Sequence, residues 1–243
     1  MSRYESFDLG KLKIYVSADH RFGTDAFLLA DFAGAAANHR VCDLCTGCGI
    51  VPLIMCRESP PRELYGVEIM PDAVELFTKS VAENDLRGRV KPVLCDLKAL
   101  AGSDVPSEYF DIVTVNPPYW KKGSGEERLS AVQAAARHEI LCDINDVCAA
   151  AARLLKYGGS LKLCQIPSRL ADVICSMREN KVEPKALRFV CNRIGEKPWL
   201  VLVSGKKGGK PGLEVMPDFV IYDSDGGYTD AMSRIYCIGD DKK

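Results

Sequence analysis

The stretch Val41-Cys42-Asp43-Leu44-Cys45-Thr46-Gly47-Cys48-Gly49 reads as a buried strand that breaks into a glycine-containing turn, with a helix running on to about Arg57. Gly47 and Gly49 let the backbone approach a ligand where a side chain would obstruct it. Pro52 stands where a dinucleotide fingerprint has its third glycine or an alanine, so that pattern is broken. A strand, a turn of small residues and a helix in this order begin a βαβ unit.

The alternation continues outward. Residues 63–67 form a second strand ending in Glu68, and Pro71 opens the next helix where its missing N–H costs nothing. Residues 90–95 make a third strand, ending in Asp96. The fourth, Asp111-Ile112-Val113-Thr114-Val115, stops at Asn116-Pro117-Pro118-Tyr119-Trp120, because prolines cannot donate to a ladder and hold the residues before them extended. A helix over 143–157 capped by Asp143 with Gly158 past its end, a strand over 160–164, a helix over 170–180 and an antiparallel pair over 186–191 and 199–203 follow. On the other side, 26–33 is an apolar helix with Thr24 or Asp25 as cap, and 11–16 alternates like a half-exposed strand of a hairpin or lid. The lysine- and glycine-containing segments 121–127 and 205–210 read as loops. The pattern predicts one α/β domain over 1–243, with 1–23 as hairpin or lid, 24–243 as core, and a mostly parallel sheet covered on both faces.

The composition is that of a soluble globular chain, with 47% hydrophobic residues and a net charge of -1. Any polyanion would therefore have to meet a local basic patch. No run approaches the roughly 18 to 20 apolar residues that span a bilayer, and the first residues lack a signal-peptide core, so the expected setting is cytoplasmic, away from membranes. Eleven cysteines sit mostly within apolar strands and helices, where reduced thiols behave as small hydrophobes. The spacing of Cys42, Cys45 and Cys48 resembles an iron–sulfur pattern, but alternation turns Cys42 away from the Cys45 end of its strand and no fourth cysteine follows at the ferredoxin spacing. No metal is expected.

In open α/β sheets ligands bind beyond the carboxyl ends of the strands, near the point where strand order reverses. Those ends carry Asp43 with Thr46, Gly47 and Gly49, then Glu68, then Asp96, then Asn116-Pro117-Pro118-Tyr119. Glu68 can accept two hydrogen bonds from a ribose diol, a feature common to nicotinamide and adenosyl cofactor sites.

The fourth strand separates these. Its end resembles the (Asp/Asn/Ser)-Pro-Pro-(Tyr/Phe/Trp) signature of the amino-methylating class I, S-adenosylmethionine-dependent methyltransferases. The resemblance implies a Rossmann-like fold with a mostly parallel seven-stranded sheet, an antiparallel C-terminal strand pair and a short N-terminal hairpin. It also implies a cofactor site of Asp43, Cys45, Thr46, Gly47, Gly49, Glu68, Asp96, Leu97 and Asn116, with Asp96-Leu97 reading the adenine. Phe22-Gly23-Thr24-Asp25-Ala26, Arg137-His138-Glu139 and the run from Arg188 to Asp230 are similar to the tRNA (adenine-N6) methyltransferase family, whose members modify adenosine 37 of a valine tRNA. That likeness implies Thr24 and Asp25 near the methionine part of the cofactor, as an alternative to capping. Cys45 and Cys48 depart from the family's usual Gly and Ser; both are small, so function is expected to survive.

An exocyclic adenine amine is a poor nucleophile because its lone pair is delocalised into the ring. Acceptors at the Asn116 side chain and the Pro117 carbonyl would hold its two hydrogens and aim the lone pair, an orientation effect of up to roughly 7 to 11 kcal/mol against ~3 to 5 kcal/mol from a general base. Pro118 rigidifies the turn, and Tyr119 would stack on the base for about 1 to 3 kcal/mol. Lys121, Lys122, Lys206, Lys207 and Lys210 are candidates for the RNA backbone. Arg137 is one too, though an ion pair accounts for it equally, and His138 reads as a structural hydrogen-bonding residue. The expected activity is methyl transfer from S-adenosylmethionine to adenine N6 in tRNA by a monomer, leaving S-adenosylhomocysteine. The alternatives are a protein N5-glutamine methyltransferase, disfavoured because no helical domain precedes Val41, and a non-catalytic binder of the same cofactor.

Overall fold

The central strands are apolar on both sides, and the fold buries both. The computed structural model describes residues 4–117 and 142–237; Pro118, Tyr119, Lys121, Lys122, Arg137 and His138, with the loop expected over 121–127, lie outside the described residues. Strands β3 (Arg40–Leu44), β4 (Glu63–Glu68), β5 (Val90–Leu94), β6 (Phe110–Val115), β7 (Leu155–Gln165), β8 (Val182–Cys191) and β9 (Leu200–Lys207) lie in the order β8-β9-β7-β6-β3-β4-β5. β3 to β7 pair in parallel, and β9 runs antiparallel to both β7 and β8. Along β6, Ile112 packs on one face and Val113 and Val115 on the other, the period-two alternation of a strand covered on both sides. Helices α1 (Thr24–Ala33), α2 (Ile50–Met55) and α3 (Pro71–Glu83) cover the first face, α4 (Ile144–Leu154) and α5 (Leu170–Glu179) the second. The chain leaves β3 toward β4 and β5, then returns to β6 on the opposite flank of β3, so strand order reverses between β3 and β6.

Three departures from the sequence expectation have tertiary causes. Among the described residues the sheet has nine strands, because β10 (Glu214–Val215) and β11 (Phe219–Val220) pair in parallel with the outer edge of β8, which would otherwise present unpaired N–H and C=O groups. The helix expected over 143–157 starts as predicted, with Asp143 and Asp146 forming a capping box, but ends at Leu154. Leu155 turns extended and pairs with Phe110, Lys156 pairs with Asp111, and Lys207 Nζ donates to the Leu155 carbonyl at 2.8 Å. The closing strand pair reaches back to Val182 and on to Lys207, so Gly205, Lys206 and Lys207 belong to β9 rather than to a loop.

The N-terminal hairpin of β1 (Glu5–Leu9) and β2 (Leu12–Val16) stands apart from the main sheet and is docked on α3. Asn84 Oδ1 accepts from Lys13 N at 2.8 Å, its Nδ2 donates to the Lys13 carbonyl at 2.6 Å, and Ser80 Oγ accepts from Tyr15 N at 2.9 Å. Helix side chains thus satisfy backbone groups that a two-stranded hairpin leaves unpaired. A final helix, α6 (Asp230–Tyr236), packs on α1 through Tyr236 and Phe27, with ring centroids 4.8 Å apart.

Candidate active site

Where β3 ends, Cys45, Gly47 and Gly49 all take positive φ, at 55°, 57° and 84°. This region disfavours side chains by about 1 to 2 kcal/mol, so what Cys45 must tolerate is its backbone angle, not only its volume. The two glycines divide their tasks. A Cβ on Gly47 would meet nothing within 4 Å, whereas one on Gly49 would stand 2.0 Å from Phe77 Cδ2. Gly47 opens onto the cavity; Gly49 lets α2 close against α3, which corrects the expectation that both admit a ligand.

Asp43 is buried at the mouth of this turn. Thr46 Oγ1 donates to its Oδ2 at 2.6 Å and Thr114 Oγ1 to its Oδ1 at 2.5 Å, so one carboxyl braces the turn against β6. Burial pushes its pKa up to about 7, the two hydroxyls opposing and Glu68 adding to the rise. Between 3.8 and about 7 the folded protein holds a proton that the unfolded chain releases. Stability from this site therefore falls as pH rises through that window, by up to roughly 1.4 kcal/mol per pH unit. Asp43→Asn is expected to lose that slope in denaturant titrations compared between about pH 5 and about pH 7. A wild-type-minus-variant difference that stays constant across that range would remove Asp43 as its source.

Glu68 closes the end of β4 and accepts three backbone N–H groups, from Gly47 at 2.9 Å, Ile69 at 2.9 Å and Met70 at 3.1 Å. Those bonds fix the carboxylate: Oε1 accepts from both Ile69 and Met70, and Oε2, which accepts from Gly47, keeps a further acceptor position. Asp96 caps a short 3-10 turn over Leu97–Ala99 by accepting from Lys98 N at 2.9 Å.

These residues border two adjoining cavities. One of about 240 Å³ is lined by Asp25, Asp43, Cys45, Thr46, Gly47 and Asn116, and a smaller one of about 40 Å³ by Asp96 and Leu97; Glu68 and Cys45 line both. Neither is lined by Thr24 or Gly49. Asp19, His20, Arg21 and Phe22 also wall the larger cavity, and Cys142 lines both. Asp19, His20 and Arg21 went unnoticed in the sequence because residues 17–21 carry no periodicity and reach the site only through the docking of the hairpin. His20 Nε2 lies 2.9 Å from Asp72 Oδ2 at the start of α3. Burial alone would raise the Asp72 carboxyl, but the hydrogen bond and charge of His20 with the helix N–H groups hold it below its ordinary value.

Thr24 and Asp25 do not cap α1; Gly23 precedes the helix with no side-chain cap. Thr24 Oγ1 sits 2.7 Å from the Tyr236 hydroxyl. Asp25 Oδ1 accepts from Ala26 N at 3.0 Å, while its Oδ2 accepts from Asn116 Nδ2 at 3.1 Å. On the other side of the amide, Cys164 Sγ donates to Asn116 Oδ1 at 3.0 Å. A carboxylate only accepts, so this pair sets which end of the Asn116 amide faces α1. Pro117 follows directly and is buried.

The lysines of β9 are not brought to this site. Lys206 pairs with Ser160, which stands level with Ile112 near the start of β6 and so toward the amino edge of the sheet, and Lys207 Nζ is taken by Leu155 O and Glu108. Lys210 follows beyond that same end. Cys42 and Cys48 fall in opposite cores, so the cysteine triad is not gathered. Among the described residues no cysteine forms a disulfide, and no His, Cys, Asp or Glu cluster is arranged to hold a metal.

Comparison with known proteins agrees with this geometry. Residues 32–136 match the TRM5/TYW2 methyltransferase domain. The chain is 28% identical over 213 residues to the tRNA1(Val) (adenine(37)-N6)-methyltransferase of Aeromonas salmonicida, covering 86% of each, and 30% identical over 189 residues to that of Phocaeicola vulgatus, covering 76% of each. The chain belongs to the tRNA1(Val) (adenine(37)-N6)-methyltransferase family. Its fold is that of the class I methyltransferases. A crystal structure of a predicted O-methyltransferase from Agrobacterium tumefaciens superposes with a TM-score of 0.72 at 21% identity, covering 88% of this chain and 96% of the other. TYW2 from M. jannaschii, solved with AdoMet, gives 0.58 at 14% identity over 85% of this chain and 86% of the other. Within the family's fold, the Asn116 amide and the acid-lined cavity stand at the reversal point between β3 and β6. No helix among the described residues is long and apolar enough to cross a membrane.

Proposed function

We propose that this chain transfers a methyl group from S-adenosylmethionine to the N6 amine of adenine in tRNA, at adenosine 37 of a valine tRNA. The observation that carries the reading is the Asn116 amide, held between Asp25 and Cys164 at the rim of an acid-lined cavity. Asp19, Asp25 and Glu68 outnumber His20 and Arg21 on the cavity wall, which suits a ligand carrying a sulfonium and an ammonium. When bound, S-adenosylmethionine supplies an electrophilic methyl group. Glu68 would hold a ribose hydroxyl through Oε2, Asp96 and Leu97 would hold the adenine, and the open face of Gly47 would leave room for the cofactor beside its backbone. The Asn116 carbonyl accepts one hydrogen of the substrate amine and the Pro117 carbonyl the other. These acceptors favour a tetrahedral nitrogen whose lone pair is free to attack, and the proton leaves after transfer, so no strong base is required. The family resemblance would have Tyr119 stack on the adenine and Lys121, Lys122 and Arg137 meet the RNA backbone.

The test supplies labelled methyl donor with bulk tRNA, DNA and release-factor protein, then digests the products. Label is expected in N6-methyladenosine from tRNA; label in glutamine instead would overturn the reading in favour of protein methylation.

A further inference from the structure

The carboxyl edge of the sheet carries, beside the cavity, a line of rings that ends in solvent. Tyr222 and Tyr228 meet across an antiparallel bridge with ring centroids 5.3 Å apart and planes 18° from parallel, and Tyr228 is 39% exposed. The Arg193 guanidinium stands 5.8 Å over the Tyr222 ring and donates from NH1 to the Asp223 carbonyl at 3.0 Å. On the same loop Ile194 is 89% exposed, an apolar side chain that contributes little to the core.

This ledge is tied to the site on two routes. Tyr228 contacts the Tyr236 ring at 5.3 Å, the Tyr236 hydroxyl meets Thr24 at 2.7 Å, and the neighbouring Asp25 holds Asn116. Through the sheet, Val190 pairs with Leu200, Val201 pairs with Gln165, and Cys164 bonds Asn116. The loop after β8 therefore opens on the same edge as Asn116, about 14 Å away at ~4.8 Å per strand. Exposed rings with a cation beside them are what unpaired RNA uses, the ring for a base and the cation for a phosphate. Asp223, exposed on this loop, is engaged through Oδ1 by the backbone N–H groups of Asp225 and Gly227, both at 2.9 Å.

We infer that Arg193, Ile194, Tyr222 and Tyr228 form a ledge for an unpaired nucleotide flanking the target adenine, its base resting on Tyr228 and a phosphate meeting Arg193. This rests on the RNA reading above. Tyr228→Ala and Arg193→Ala are each expected to raise the KM for tRNA about tenfold, with kcat and the calorimetric Kd for S-adenosylmethionine within about twofold of wild type. Tyr228→Trp gives a second readout that keeps a ring in place: its added emission is expected to quench on titration with tRNA. An unchanged KM in both truncations, or emission at position 228 that ignores a tRNA the wild type methylates, overturns the ledge and leaves the activity standing. Wild-type protein that labels a protein substrate and no tRNA overturns both.

Discussion

Asn116→Ala is expected to lower kcat by roughly 10³-fold, on the order of 4 kcal/mol of transition-state stabilisation, while the Kd for S-adenosylmethionine changes little. The acceptor that orients the amine disappears, but the cavity floor built by Asp43, Gly47 and Glu68 does not depend on it. The neighbours make a sharper version possible. Asn116→Asp preserves shape yet would set a carboxylate where Asn116 Nδ2 now donates to Asp25 at 3.1 Å. Two facing carboxylates cannot both ionise at low cost, so this variant is expected to be poorly active near neutral pH. The exchange Asp25→Asn with Asn116→Asp restores a donor opposite an acceptor and is expected to recover part of kcat. Steady-state kinetics with calorimetry of cofactor binding checks all three. Equal losses in kcat and cofactor affinity for Asn116→Ala would assign the residue to binding, and failure of the exchange to recover activity would remove Asp25 as its positioning partner.

The second large effect is on folding. Gly49→Ala adds a Cβ that would lie 2.0 Å from Phe77 Cδ2, at a φ of 84°. The left-handed backbone costs about 1 to 2 kcal/mol for a side chain, and forcing an extra carbon into a packed core about 1 to 3 kcal/mol more. A loss of roughly 2 to 5 kcal/mol is a large part of a typical domain's stability. Gly47→Ala shares the positive φ but meets nothing within 4 Å, so it is expected to lose only the backbone cost of about 1 to 2 kcal/mol. Urea titrations of the two variants separate packing from backbone strain. Phe77→Leu in the Gly49→Ala background is expected to return part of the loss; equal destabilisation at 47 and 49 would show that the contact with Phe77 does not matter.

Much of this was legible in the chain. The alternation of apolar strands with helices from Val41 to Met177 determined the parallel sheet, because a strand buried on both faces and a helix buried on one leave different periodicities. The strand ends determined that Asp43, Glu68, Asp96 and Asn116 would share one edge, because in a parallel sheet every strand ends on the same side. Other features had no local signature. The helix after Asp143 looked longer than it is because nothing near Leu155 announces Phe110 as its partner. Lys206 and Lys207 looked like a loop near a polyanion, but strand register places them at the far edge. Gly47 and Gly49 look alike in sequence and differ only in what stands opposite, open space or the ring of Phe77. Thr24, Asp25 and Cys164 likewise acquired their partners from docking: a hydroxyl 212 residues away, and an amide 91 residues from Asp25 and 48 from Cys164. By itself the sequence determined the edge that carries the candidate site and the amide that stands there. Which way that amide is turned was decided only by tertiary structure, because its two partners come from helix α1 and strand β7, which only folding brings to either side of it.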